Sequence, residues 1–533
     1  MKLEKRTSSP RKHVAVRREL PPEVWDAILS PFRWDAHYLS KFSLISRHCH
    51  HIALPYMFAK LTVACAGAGR NARSFLFLIR DSPHVANNIR DLTLQDTIVS
   101  SSRRAVEMYS RSRETTASRE ATTFREVTTS REATTSREAT TSREITTSWR
   151  DLLFGDHIEQ LGQMLQSLPG LQRLTIRYRP SASGYNPVLK RSPSDSAAIK
   201  SAITAKAVPL RYLLLDVSDI KTSTCIHASL TYILSLFSTI DQLVVCDLPG
   251  NVHCSCIPYE GKTVKAKSHP WISHPCYSDD HFDAIFDLPG HTPPQLSIRS
   301  IDFTIVPGLM SRRVVSKILA RAITSSPSSS PPPTPSSLKL WCGEAAPPEV
   351  YSELIDAYGS RLGSCDINLV SSICHSSSVN ALVPPSPGRQ HRIDLSSCTS
   401  LTSLILSGVW DLPKGKTMRT SPDASFVIVD ILSTVHPSTV QHLVINLVMY
   451  STLVAPTIKD LRDHAYPMIN WRDFRRVLEE RFSALRSFTF RWTFPMENDY
   501  SEITLDWMQE TVDKELRQWS EQGVLKVELA TNR

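Results

Sequence analysis

Residues 401–406 read LTSLIL, residues 440–445 read VQHLVI, and residues 485–490 read LRSFTF. In each stretch the first, fourth and sixth residues are apolar. Alternate side chains of a strand point to the same face of a sheet, so the pattern predicts one short strand with two anchors on one face. Outside insertions it recurs about every 30–45 residues, as in a repeat array, and its central residues are Leu61, Leu92, Leu174, Leu213, Leu243, Ile301, Cys365, Leu404, Leu443, Phe488 and Val527.

Most of these strands follow a stretch of helical periodicity. Between residues 157 and 168 apolar residues recur at helical spacing, and Pro169 ends the helix. Stacked repeats of one helix and one strand form an α/β solenoid. The strand pattern resembles long, irregular leucine-rich repeats, although the Asn or Cys that this family carries three residues after the last Leu is mostly missing. We therefore predict the α/β class, and the alternative is an unrelated α/β domain.

The segment before the repeats, residues 20–58, predicts a short all-α unit. Pro21, Pro22 and Glu23 suit the first turn of a helix, where a missing N–H costs nothing and a negative charge is favoured. A second helix is predicted from about residue 36 to residue 51, and Pro55 precedes a last aromatic turn. About 40 residues bury too little surface to be stable alone, so this unit should dock on the repeats or on another chain.

The order of these features resembles the F-box. The family's pattern is matched by LPPE (20–23), by the apolar helix that follows and by LSKFSLISR (39–47). The family usually has a Trp or Phe after Ser-Arg, and this chain has other residues at 48–50. The resemblance implies a substrate-recognition subunit that binds the Skp-type adaptor of an SCF-type cullin–RING ubiquitin ligase. The implied adaptor-binding residues are Leu20, Pro21, Glu23, Val24, Ile28, Leu29, Leu44 and Arg47. The alternative is a helical cap on a protein-interaction scaffold outside any ligase.

Composition shifts divide the chain further. Six tandem hexads such as REATTS, from Arg113 to Ser148, are neutral and polar and predict a disordered insertion. SSPSSSPPPTPSS predicts a Ser/Pro linker. The predicted units are a basic disordered arm (1–18), the F-box-like unit (19–58), the first repeats (59–108), the hexad insertion (109–148) and the remaining solenoid (149–533), with the linker at 325–337.

Charge and cysteine content bound the location and the partners. The net charge is +9, and seven basic residues fall within residues 1–18. A solvated tail explains this arm, so we expect no nucleic-acid partner, although such arms can bind nucleic acid. The sequence has eleven cysteines but no CxxC pair, and it shows no apolar secretory signal. No apolar run approaches the roughly 18 residues that a membrane span needs. These features predict a protein of the cytoplasm or nucleus without membrane contact.

Motifs of catalysis are missing from the sequence, which contains no GxSxG, P-loop, GxGxxG or HExxH. We therefore predict a binding protein without catalytic residues or a cofactor. One cluster approaches zinc-finger spacing, but it has one residue between its cysteines instead of two to four, and Glu260 and Ala266 stand where a finger carries its core. The residues of this cluster are His253, Cys254, Cys256, His269, His274 and Cys276. We expect that they bind no metal. The alternative is that the protein is a zinc-dependent nucleic-acid-binding protein.

A substrate site is predicted on the concave side of the solenoid, which the residues flanking the anchors would face. An apolar strip rimmed by polar groups is typical of a partner site. We expect the contiguous strip Leu214, Val244, Ile405 and Val444, with the polar residues Arg173, Tyr212, Gln242, His442 and Arg491 nearby. The alternative is that loops such as 251–295 or 407–425 bury the strip.

Overall fold

The structure is a computed structural model. It describes residues 20–33, 35–64, 72–97, 158–179, 208–217, 226–247, 296–303, 309–324, 336–342, 351–369, 393–412, 423–451, 469–494 and 502–531. The basic arm, the hexads and the Cys/His cluster at 253–276 lie outside these residues.

Three helices form the N-terminal unit. They are α1 (Pro22–Leu29), α2 (Ala36–Ser43) and α3 (Arg47–Phe58), with a 3₁₀ turn at Ser30–Phe32 after α1. Two prolines at its start favour α1 because a proline in the first helical turn forfeits no hydrogen bond. The third helix ends at Phe58, and one residue separates it from the first strand.

The predicted helix from residue 36 to 51 is two helices. Asp35 caps α2, since its side chain accepts the backbone N–H of Tyr38 at 2.9 Å. Ser46 caps α3 in the same way, accepting the N–H of Cys49 at 3.0 Å. A cap inside the predicted helix starts a new one, so the chain turns at residues 44–46. Pro55 was predicted to precede a separate last turn, but it lies within α3. There its missing N–H removes a single backbone hydrogen bond.

Twelve strands form one sheet in which chain order equals spatial order and every neighbouring pair is parallel. Parallel neighbours require a crossover between strands, and helices are described in eight of the eleven crossovers. The strands are β1 (Lys60–Ala64), β2 (Asp91–Thr97), β3 (Arg173–Arg179), β4 (Val208–Val217), β5 (Phe237–Asp247), β6 (Ser297–Phe303), β7 (Ser336–Trp341), β8 (Leu362–Leu369), β9 (Ser403–Leu412), β10 (His442–Ser451), β11 (Ser487–Phe494) and β12 (Leu525–Thr531).

The helices that alternate with the strands bury apolar faces against the sheet. They are α4 (Ala72–Asp81), α5 (Pro83–Ala86), α6 (Ile158–Gln166), α7 (Ile226–Ser235), α8 (Leu309–Thr324), α9 (Ser352–Tyr358), α10 (Asp423–Thr434), α11 (Trp471–Arg481), α12 (Glu502–Glu515) and α13 (Arg517–Glu521). A 3₁₀ turn at Gly359–Arg361 follows α9. The predicted α/β class is confirmed.

The strand anchors stack in two rows across the sheet. Leu174 pairs with Leu213 and Ile176 pairs with Leu215, and the same two rows run from β1 to β12. Apart from the partly exposed ends of the rows, these side chains are buried and form one hydrophobic core with helix residues such as Leu161. Burying an aliphatic side chain contributes about 1.5–3 kcal/mol, so the rows hold the repeats together.

Two details of the repeat prediction need correction. Residues 338–340 (LKL) match only the last part of the apolar pattern and were not predicted as a full copy, yet Leu338 and Leu340 belong to a complete strand, β7, between β6 and β8. In β12, Leu525 and not Val527 pairs with Phe488 of the preceding repeat. Both residues lie on the same face of the strand, so the face was predicted but the register was two residues off.

The last two residues of the predicted Ser/Pro linker, 325–337, lie in a strand. Ser336 and Ser337 belong to β7. Ser336 is buried on the core side, and the Ser337 hydroxyl donates to Ser300 Oγ of β6 at 2.7 Å. Small hydroxyl side chains fit these positions, so part of a linker-like sequence forms a strand.

Within the described part of the chain, no helix combines the length and the apolar character that a membrane crossing requires.

Candidate functional site

The N-terminal unit has a small core of its own. Leu29 of α1, Leu39 of α2 and Ala53 of α3 are almost completely buried. The indole of Trp25 packs edge-on against Phe42, with ring centroids 5.8 Å apart. All three helices therefore share one apolar centre.

One polar contact links the first and third helices. The Tyr56 hydroxyl of α3 donates to Asp26 Oδ1 of α1 at 2.8 Å. Burial raises the pKa of Tyr56 to about 12, and the hydrogen bond to Asp26 and its charge add to the rise. The phenol therefore stays protonated and keeps donating at neutral pH.

The outside of this unit exposes an apolar surface. Leu20, just before α1, and Val24 and Ile28 within α1 recur every four residues and are 45%, 40% and 40% exposed. Leu44 and Ile45, in the turn between α2 and α3, are 82% and 71% exposed. Large exposed side chains that are grouped on one small unit are typical of an interaction site.

Of the eight residues that the F-box resemblance implies, seven are placed at this unit's outside or beside its exposed residues. Pro21, Glu23 and Arg47 are exposed, as are the four apolar residues Leu20, Val24, Ile28 and Leu44. Leu29 differs, because it is fully buried in the unit's core and has no surface left for a partner. Ile45 was missed because one helix was predicted across residues 36–51, whereas Leu44 and Ile45 lie in a turn between two helices.

The predicted substrate residues all lie on the sheet face opposite the helices, here called the outer face. Arg173, Tyr212, Gln242 and His442 precede the first anchor of their strands, and Arg491 follows the second anchor of β11. The Arg173 guanidinium stacks 4.1 Å from the ring centre of Tyr212. Leu214, Val244, Ile405 and Val444 occupy the middle position between the anchors, here called the middle row.

The apolar strip is not contiguous. Leu214 pairs with Val244, and Ile405 pairs with Val444, so the four residues form two pairs. Strands β6 to β8 separate the pairs. Leu214, Ile405 and Val444 are partly exposed, whereas Val244 is 7% exposed. The condition that would exclude a site here, burial of all four side chains, is therefore not met.

Three charged residues fill the gap between the pairs, and sequence reasoning missed them. Asp302, Lys339 and Asp366 follow one another in the middle row of β6, β7 and β8. Lys339 Nζ lies 3.9 Å from Asp302 Oδ2. Burial raises the pKa of Asp366 more than the attraction of Lys339 lowers it, and Asp302 raises it further.

Among the described residues no side-chain cluster fits a metal ion, and burial raises the thiol pKa of two cysteines. No group of three or more His, Cys, Asp or Glu side chains in those ranges could hold a metal ion. Cys365 is a buried anchor of β8, and burial raises the pKa of its thiol. Burial likewise raises the pKa of Cys398 to about 11. Such thiols are poor nucleophiles and poor ligands, so both cysteines pack as apolar residues.

Comparison with protein-family models, curated proteins and solved structures finds no match to this chain.

Proposed function

We propose that this protein is an F-box-type substrate receptor. Its N-terminal helical unit binds a Skp-type adaptor, and its leucine-rich-repeat-like sheet binds a protein that the attached cullin–RING ligase ubiquitinates. The chain supplies no reacting group. Its contribution to the rate is proximity, which raises the effective concentration of substrate near the ligase's active centre.

The observation that carries the proposal is the exposed apolar surface of the helical unit. Leu44 and Ile45 keep most of their surface in contact with solvent although the unit has a core of its own. Burying such a side chain against a partner contributes about 1.5–3 kcal/mol, so the surface favours a bound state. Together with the LPPE and LSKFSLISR segments, this arrangement supports an adaptor interface.

The sheet supports the substrate-binding half of the proposal. Parallel strands in chain order give the array one continuous outer face, part of which is exposed, and repeat proteins use such extended surfaces for binding. The nine residues predicted for the substrate site share that face. A long face also suits a folded protein or an extended segment better than it suits a small molecule.

The rival reading is an interaction scaffold that uses the same sheet outside any ligase, with the helical unit as a cap. A cap is expected to present a polar outer surface. The exposure of Leu44 and Ile45 disfavours this reading. The zinc-dependent nucleic-acid alternative rests on residues outside the described ranges, and metal analysis of the purified chain tests it.

Affinity purification from native cells, followed by mass spectrometry, tests the assignment. The full chain should recover a Skp-type adaptor and a cullin, and a chain lacking residues 1–58 should recover neither. Recovery of the same proteins by both chains, or of neither adaptor nor cullin by the full chain, would favour the scaffold.

A further inference from the structure

The last strand of the sheet has one edge without a strand neighbour among the described residues. β12 pairs with β11 on one side, and the sheet ends there. The inner anchors Leu443 and Phe488 are completely buried, whereas Leu525 and Val527 of β12 are partly exposed. A strand at a sheet edge presents a row of unpaired backbone groups to which another strand can bind. The edge of β12 is therefore a candidate interface.

The hydrogen bonding to β11 shows which backbone groups of β12 face this edge. The Phe488 N–H donates to the Val524 carbonyl at 3.0 Å. Backbone groups of successive strand residues point to opposite edges, so every second residue after Val524 also faces β11. The residues between them, Leu525, Val527 and Leu529, direct their N–H and C=O groups to the free edge. Val527 is the middle one of the three.

The charges on the two sides of Val527 are opposite. Lys526 and Glu528 both lie on the outer face, where they pair in register with Thr489 and Arg491 of β11. If two copies of β12 pair antiparallel about a two-fold axis at Val527, Lys526 of each copy stands opposite Glu528 of the other. Opposite charges at such places stabilise a strand pair. The Glu528 carboxylate has about four lone-pair sites, so its bonds within the chain leave room for a second lysine.

Other two-fold arrangements of the same edge are disfavoured. An axis at Lys526 would place two lysines directly opposite each other, and an axis at Glu528 would do the same with two glutamates. Like charges directly opposite destabilise a strand pair. With the axis at Val527, this residue faces its own copy and the two exchange a pair of N–H···O bonds. The core faces of both sheets then lie on the same side, so the partly exposed anchors of β12 continue into the second copy.

We infer that the free edge of β12 binds β12 of a second copy of this chain, antiparallel and about a two-fold axis at Val527. The charge match selects a second copy as the occupant, because each copy supplies both members of the reciprocal pairs. A two-fold contact also closes after two copies, whereas β12 on β1 of a further copy would build an open filament. The dimer does not depend on the proposed function. If that function holds, two receptors are joined and bind a substrate with two recognition elements more tightly.

Sedimentation velocity of the purified full-length protein over a concentration series tests the dimer. The wild type should dimerise. Lys526→Glu and Glu528→Lys should each raise the dimer Kd about tenfold or more, because two symmetric pairs change from attraction to repulsion. An equimolar mixture of the two variants should dimerise again, since each copy then meets opposite charges on the other. Mixing cannot repair a misfolded chain, so this recovery distinguishes pairing between copies from damage within one copy.

Val527→Pro tests the same edge without a change of charge. It removes an N–H that faces the free edge and none that faces β11, a place where an edge strand tolerates proline. It should give a monomer.

Lys41→Glu is the matched control, because Lys41 is also exposed and lies on α2 in the N-terminal helical unit. It should leave the dimer unchanged. A monomeric wild type at every concentration, assemblies larger than a dimer, a dimer that persists in Val527→Pro, or a mixture of the two charge variants that does not dimerise would overturn the inference. Adaptor binding is measured separately, and its failure would count against the proposed function and not against the dimer.

Discussion

Arg491 of β11 donates two hydrogen bonds to one carboxylate oxygen of Glu528 of β12, from Nε at 2.9 Å and from Nη2 at 2.7 Å. Lys526 Nζ lies 2.7 Å from the other oxygen, Oε1. The hydrogen bonds from Lys526 and Arg491 lower the pKa of Glu528 below its ordinary 4.5. Two basic residues therefore hold the last strand's carboxylate in its ionised form.

Glu528→Gln should lower stability near neutral pH by about 1 kcal/mol or less, because the pair is partly exposed and screened by solvent. A lowered pKa in the folded state gives stability that is complete above the unfolded-state value of 4.5 and is lost as pH falls through the folded-state value. The Tm difference between the wild type and Glu528→Gln should therefore shrink below about pH 4. A difference that stays constant down to pH 3 would contradict this reading.

Asp366→Asn should behave in the opposite way. Because the folded-state pKa of Asp366 is raised above 3.8, the wild type loses stability as pH rises from that value through the raised pKa. The Asn variant should match the wild type near pH 3 and be equally or more stable at pH 7. Thermal unfolding at both pH values checks this, and a less stable variant at pH 7 would show that the ionised carboxylate stabilises the fold.

Gly170 lies where two repeats approach closely. A Cβ at this residue would stand 2.9 Å from the Asn87 carbonyl oxygen and 2.5 Å from Arg90 Nη1, which donates to the Gly170 carbonyl at 3.1 Å. Gly170→Ala should destabilise the protein by about 1–3 kcal/mol, because a backbone atom must move.

Gly523 provides the comparison for this substitution. Its φ is +67° and no atom lies within 4 Å of its Cβ position, so Gly523→Ala adds only left-handed backbone strain of about 1 kcal/mol. Chemical denaturation of both variants measures the difference. If Gly170→Ala leaves the free energy of unfolding unchanged, the two repeats can move apart at Gly170 without a loss of stability.

The hexads from Arg113 to Ser148 should be dispensable for folding. They lie outside the described residues, between the end of β2 and the start of α6. Shortening a loop changes its closure entropy by about 1 kcal/mol or less. Deletion should leave Tm and adaptor binding nearly unchanged, and a Tm drop of several degrees would show that the hexads pack against the repeats.

Local apolar patterns were enough to predict most of the strands and the α/β class. Leu404 and Leu443 are paired at equivalent positions of β9 and β10. Each strand needs two apolar side chains on its core face, so the alternating apolar residues of the local sequence predict these positions. The register of β12 was not predictable in this way, since Leu525 and Val527 share a face and only pairing with β11 distinguishes them.

The centre of the outer face could not be found from sequence. Asp302, Lys339 and Asp366 belong to three different repeats, and only the strand register makes them neighbours. Ile45 was missed for a related reason. A helix was predicted across residues 36–51, whereas the cap at Ser46 turns the chain and leaves Ile45 outside.

The central claim is that the helical unit binds a Skp-type adaptor through its exposed apolar residues. Ile28→Asp places a carboxylate in that surface, and Leu78→Asp is the matched control, because Ile28 and Leu78 are exposed to nearly the same extent, 40% and 42%. Leu78 lies on α4, outside the helical unit. Leu20→Ala combined with Pro21→Ala removes apolar contact without adding charge.

Isothermal titration of purified Skp-type adaptor into the wild type and these variants decides the claim most directly. Wild type and Leu78→Asp should bind equally, and Ile28→Asp should lose about 3 kcal/mol, roughly a hundredfold in Kd, because an unpaired buried carboxylate is costly at the centre of an interface. The double variant Leu20→Ala, Pro21→Ala should also fail to bind the adaptor. Its repeats should unfold at the same temperature as those of the wild type. Equal binding by the wild type and Ile28→Asp, or no binding by the wild type, would contradict the F-box assignment.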